Sequence, residues 1–504
     1  MVSKNWIKRI IYFQEKRSYH FYTIVIFALF VGVIRSLEEV LLAHRLYLDL
    51  HVYNNCAFYF LMIWAFTFIV SLLAPIEWRK AVYAVLIGVF LGIFPPLIDV
   101  FVYGVGRFRY SYFLGFPNFK QLLFFDPTIG YPAGETIILW SSIGFTGYYV
   151  YLKTASWFKS FAGLVLAYLF LLNSGWIIPS LSEILARFFN LPSMILISLL
   201  QLVLALTLYL ALNYRVAYRL LARSIHCLPF VLLTMIGAAL SGGIKPISYF
   251  MSFLVFLAGI TTLAQNDFFD KKEDELAGRT AYIDRQDVIF CNAILIAIIM
   301  VLNATGGYIH LPLLLLFICG VLYNYDFYRA KRFFPGNYKI EGIWGLGSFL
   351  AGVMSQSPPN FSKEILIFSF LVFGGWSLVS TFKDYKDIEA DRAVGNQTGY
   401  IILMKMGLNL RQAHYLVMTV ITACFFVPAV WMFFQSIPRM LVIVPLFIAI
   451  GGLLLQFNKP PSRSVVRNIL LVTCAYLFII LILLGNYYVP AQLPQLPVGG
   501  NMIR

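Results

Sequence analysis

The residues best suited to chemistry are six aspartates in two short stretches. Asp267, Asp270 and Asp274 share one spacing with Asp384, Asp387 and Asp391. Offsets of i, i+3 and i+7 on a 3.6-residue helix put three side chains within about 60° of one face. With flanking Glu273, Glu275 and Glu389, the two stretches hold nine of the 23 acidic residues of the chain. Carboxylates about 4 Å apart repel by roughly 4 kcal/mol per pair at an effective dielectric of about 20. Six converging acids therefore call for protons, water or metal. Oxygen ligands without His or Cys favour Mg2+ over zinc, and Mg2+ shares its shell with waters and phosphate oxygens. The expected guest is a metal-bridged diphosphate.

A second set of candidates is basic. The segment Tyr323-Asn-Tyr-Asp-Phe-Tyr-Arg329-Ala-Lys331-Arg332 offers cations that can bind terminal phosphate oxygens and stabilise a departing diphosphate. Arg279, soon after the first triad, is a similar candidate. Asn266 stands four residues before Asp270 and shares its face.

These residues must be held by membrane helices. Of 504 residues, 60% are hydrophobic and 12% charged, and mean hydropathy is +0.80. A soluble protein carries about twice that charged fraction, so the expected fold is all-α and polytopic. Apolar windows of about 20 residues centre on Ile26, Trp64, Val89, Ile143, Val165 and Leu202, and nine more on Leu233, Val255, Ile296, Leu315, Gly347, Val372, Val420, Phe447 and Phe478. The basic segment Arg215–Arg223 separates the two sets. The expected division is residues 1–222, an N-terminal transmembrane domain; 223–490, the domain with the motifs; and 491–504, a short tail. From a cytoplasmic N-terminus, both triads, Arg329–Arg332 and Lys459–Arg467 fall on the cytoplasmic side, while alternate loops are nearly charge-free. Arg107, Arg109 and Lys120 fit this parity less well.

The net charge of +15 follows that positive-inside distribution, and nucleic-acid binding is not expected. Membrane lipids are expected partners. The six cysteines are scattered, with no CxxC pair, and read as small buried apolar residues. In the first six spans Glu38, Glu39 and Asp99 lie near or within apolar runs, and Arg35 and Arg45 are close enough to form a structural ion pair with the first two. The aromatic segment Gly104–Glu135 is read as a surface or re-entrant connector.

The motifs resemble those of the UbiA superfamily of intramembrane prenyltransferases, which carry NDxxDxxxD after the second of nine helices and DxxDxxxD after the sixth. Asn266–Asp274 and Asp384–Asp391 fit both patterns, at the matching places among the nine later windows. Asp391-Arg392-Ala-Val-Gly395-Asn-Gln-Thr398 looks like the family's DRxxGxxT continuation. The resemblance covers roughly residues 220–490 and implies a nine-helix bundle preceded by about six further helices. By resemblance, all six aspartates hold the Mg2+–diphosphate, with Asn266 and Arg392 at the substrate. Asp270 and Asp387, with Arg329 and Lys331, stand in the catalytic set. Many members have YxxxK here, whereas Phe327 stands four residues before Lys331, leaving Tyr325 and Tyr328 as candidates for the hydroxyl.

The expected activity is Mg2+-dependent ionisation of a prenyl diphosphate donor and transfer of its chain to a hydrophobic or aromatic acceptor, a quinone precursor or lipid alcohol. The expected location is a bacterial or archaeal cytoplasmic membrane, with the site facing the cytoplasm. Two alternatives stand beside it: phosphoribosyl transfer to a polyprenyl phosphate on the same fold, and a lipid-binding scaffold without turnover. A CDP-alcohol phosphotransferase is disfavoured, because neither triad carries DGxxAR.

Overall fold

In a computed structural model of the chain, the described residues are 11, 13–16, 20–43, 49–104, 117–124, 132–276, 283–356, 358–359, 361–433 and 439–488. Arg45, Arg107, Arg109, Arg279 and the tail 491–504 lie outside them. Among the described residues there is no strand, and each of the fifteen window centres falls on a helix. Ten helices there are long and apolar enough to cross a membrane. In hydrocarbon a helix satisfies every backbone polar group within itself, which is why such sequence folds this way.

The chain groups into two compact units. The first comprises Met1–Tyr218 and Asp284–Gly307. Its helices are Phe21–Ala43, Asp49–Leu73, Trp78–Phe90, Pro95–Tyr103, Ala133–Thr154, Trp157–Phe189, Ser193–Leu212 and Arg285–Asn303. Its core stacks Tyr209 on Phe290 at 3.7 Å, with Trp64 5.0 Å from Tyr209. Arg35 is buried and pairs with Glu39 at 2.9 Å and with Glu135. Such pairing is what an intramembrane charge requires.

The second unit is Arg219–Ile283 and Tyr308–Arg504. The boundary thus falls inside helix Tyr214–Arg223, and Arg285–Asn303 groups with the first unit, whereas the sequence reading draws a single cut after residue 222. Local contacts explain this grouping. Gln286 accepts a bond from the Phe21 amide at 2.7 Å, Asp287 accepts one from the Tyr209 hydroxyl, and Phe290 fills the aromatic core.

In the second unit, Leu228–Gly242 packs against Gly336–Val353 and Arg463–Tyr488. Gly237 and Gly352 sit where those first two backbones meet: an added Cβ would lie 2.1 Å from the Phe349 carbonyl oxygen and 1.8 Å from that of Thr234. Small residues permit this approach in a membrane bundle. The contact fixes the helix whose N-terminal end carries Asn337, Tyr338 and Glu341.

Candidate active site

The first motif closes helix Pro246–Phe269. Asn266 and Asp267 lie on its last turn, Asp270 is the residue at its end with φ −92° and ψ 11°, and Asp274 lies on the separate helix Lys271–Leu276. The second motif has the same construction. Asp384 lies on the 3-10 turn Ser380–Lys386, Asp387 breaks the chain at φ −114° and ψ 10°, and Asp391 lies on Ile388–Ala393. In both, the third acid's amide donates to the carbonyl of the second, at 2.7 Å for Asp274 and 2.8 Å for Asp391. The expectation of one continuous helical face is therefore corrected. Each triad straddles a helix break, because the apolar run ends there and charged residues follow.

The first break and the end of the second motif's short helix are fixed by identifiable groups. Arg329 adopts a left-handed conformation (φ 40°, ψ 60°) and donates to the Phe269 carbonyl at 2.8 Å, satisfying a helix C-terminus. After the second motif Gly395 has φ +78°, which glycine adopts without steric cost. That turn lets Asn396 donate from its backbone to the Asp391 carbonyl at 2.9 Å and from its side chain to the Asp391 carboxylate at 2.8 Å. The GN pair of the continuation motif is thus a device for orienting Asp391.

A cavity of about 250 Å³ joins the two motifs. Asn266, Asp270, Lys331, Asp384, Asp387 and Asp391 all line it, and the two short helices carrying Asp274 and Asp391 touch. Its charged wall has five carboxylates, adding Glu341 to the four aspartates, and four cations: Arg223, Lys331, Lys383 and Lys386. Phe230, Trp344 and Trp376 also line the cavity. The phenylalanine ring lies 5.0 and 5.1 Å from the two indoles.

The acids are balanced by these cations. Lys331 contacts Asp270, and Lys386 lies 3.0 Å from Asp387. Tyr338 donates to Asp384 at 2.7 Å, and Lys383 pairs with Glu341 and donates to the Tyr323 hydroxyl at 2.7 Å. Burial pushes the pKa of Lys331 down to about 7, against the pull of Asp391. An anion arriving beside it would favour its charged form.

The remaining predicted residues are placed differently. Asp267 and Asp274 are 1% and 5% exposed, outside the cavity lining, and held by Arg219 at 2.7 and 3.2 Å; Arg223 also pairs with Asp267. Arg329 touches Asp270 at 3.6 Å and Asp326 at 3.1 Å. Tyr325 packs its ring against Phe269 and Tyr328 against Phe333, neither lining the cavity, and Arg392 is exposed beside Met404. Arg279 lies outside the described residues. Sequence reasoning missed Arg219, Arg223, Tyr338, Glu341 and Lys383 as site residues. Glu341, an acid inside an apolar run, carried a usable signal.

No three His, Cys, Asp or Glu side chains among the described residues cluster tightly enough to hold an ion unaided. The cavity's four aspartates and Asn266 are oxygen donors, which suits a hard cation completing its shell with water and phosphate oxygens.

Comparison with known proteins gives the family. The model of the UbiA prenyltransferase family matches residues 230–482, just over half of the chain, and the chain belongs to that family. No curated protein sequence matches it. Among solved structures it is similar to a UbiA homologue from Archaeoglobus fulgidus bound to DMAPP and Mg2+, at 15% identity over 53% of this chain and 99% of that one, TM-score 0.38. It is also similar to the apo UbiA homologue from Aeropyrum pernix K1, at 16% identity over 52% and 98%, TM-score 0.39. A digeranylgeranylglyceryl phosphate synthase structure is similar at 17% identity over 53% and 96%, TM-score 0.38. The protein is an integral membrane member of a transferase family.

Proposed function

We propose that the protein is a Mg2+-dependent intramembrane prenyltransferase that cleaves a prenyl diphosphate and transfers the chain to a hydrophobic or aromatic acceptor. One observation carries the reading: residues of both motifs, four cations and the aromatic side chains Phe230, Trp344 and Trp376 line a single cavity. Asp270, Asp384, Asp387 and Asp391, with Asn266, would hold the metal. Bound there, Mg2+ neutralises diphosphate charge and makes it a better leaving group. Lys331 and Arg223 bind the diphosphate oxygens and steady the charge that develops on departure. Arg329 keeps Asp270 in place through the Phe269 carbonyl. Phe230, Trp344 and Trp376 exclude water from the allylic cation and offer it their ring faces. The positive-inside charge pattern supports a cytoplasmic-side site.

The test is pyrophosphate release by the purified full chain with Mg2+ and labelled geranylgeranyl diphosphate or phosphoribosyl diphosphate. Release from the prenyl donor, lost on chelation, is expected. Release from the sugar donor alone would move the assignment to phosphoribosyl transfer, and tight binding without release to a scaffold.

A further inference from the structure

We propose that Arg219 is a positioning residue that clamps the break in the first motif, with Asp267 and Asp274 as its anchors rather than as metal ligands. The inference rests on the prenyltransferase reading and divides the six acids by role. In the second motif Asp384, Asp387 and Asp391 all line the cavity, whereas in the first only Asp270 does, with Asn266. The two outer acids are instead buried against one guanidinium. Arg219 Nε lies 2.7 Å from Asp267 and Nη2 lies 3.2 Å from Asp274.

Those two acids stand on opposite sides of the break at Asp270, one on helix Pro246–Phe269 and the other on Lys271–Leu276. A planar, rigid fork joining both sides sets the angle between the two helices. That angle bears on where Asp270, at the break itself, points. Arg223 supports the same turn by pairing with Asp267 and donating to the Asn266 side-chain oxygen at 3.2 Å. In the second motif Tyr338 donates to Asp384 and Asn396 to Asp391, and both acids line the cavity.

The experiment counts Mn2+ bound to the full chain by EPR, with geranylgeranyl thiodiphosphate filling the donor site, and measures turnover alongside. Bound Mn2+ is expected to be unchanged in Asp267→Asn and Asp274→Asn and reduced in Asp270→Asn. Arg219→Gln should lower kcat about 100-fold, as misplaced catalytic groups do, and Arg219→Lys should recover part of it. Adding Asp274→Asn to Arg219→Gln should cost little more, because the two share one interaction. Loss of Mn2+ in Asp267→Asn or Asp274→Asn, or additive effects in the double variant, would overturn the proposal. If Arg219→Gln does not fold, the Mn2+ counts of the asparagine variants decide alone. A wild-type protein that holds no Mn2+ under these conditions would instead sink the prenyltransferase reading on which the clamp depends.

Discussion

Asp270 and Asp387 occupy equivalent positions, each at the break of its motif and each lining the shared cavity. Each also touches a lysine, Lys331 or Lys386, that can turn from carboxylate to phosphate when a substrate arrives. Asp270→Asn and Asp387→Asn should each lower Mg2+-dependent pyrophosphate release about 100-fold or more, with thermal melting little changed. Equal turnover in either variant would remove that residue from the reaction. At this scale the sequence showed the acids, because their spacing is local and repeated. Their partners were hidden. Arg219 and Tyr338 reach the site from other helices, and which side chain faces inward depends on how each helix is rotated against its neighbours. Positive-inside patterning also disguised Arg219 and Arg223, since a functional arginine and a topological one look alike in a loop.

The elements that matter most are two short helices and the turns before them. Both motifs interrupt the helix at the middle acid, a feature that a helical-face argument could not foresee. Apolar periodicity speaks for the span but ends where the charges begin. Gly395 is the sharpest local requirement, because its φ of +78° would force a side chain into the left-handed region. Gly395→Ala should destabilise the protein by about 1–2 kcal/mol and reduce turnover through Asp391, measurable as a lower Tm together with a lower kcat. An unchanged Tm would mean that the turn relaxes freely. The positions of the helices were legible, since every predicted centre lies on one. The grouping of Arg285–Asn303 with the first unit was not, because it depends on Gln286, Asp287 and Phe290 finding partners far away in sequence.

For the whole molecule, the governing fact is that the cavity's charges nearly cancel. Four cations against five carboxylates leave little net field for either a metal or a diphosphate alone. A metal–diphosphate pair can exchange with the existing ion pairs, taking carboxylates to the metal and lysines to phosphate. The two should therefore bind cooperatively, each raising the other's affinity by about tenfold or more in calorimetric titrations. Independent binding of Mg2+ and geranylgeranyl thiodiphosphate would argue against this exchange. The sequence overstated the problem of six unpaired acids, because it could not show that the chain brings its own cations to them.

The central claim is that the two motifs close on one metal–diphosphate group. Crystals of the full chain grown with Mn2+ and geranylgeranyl thiodiphosphate test it most directly, through the anomalous signal of the metal. Mn2+ peaks between the diphosphate and both Asp270 and Asp387 are the predicted result. Metal bound to one motif alone, or a diphosphate seated away from this cavity, would contradict the account.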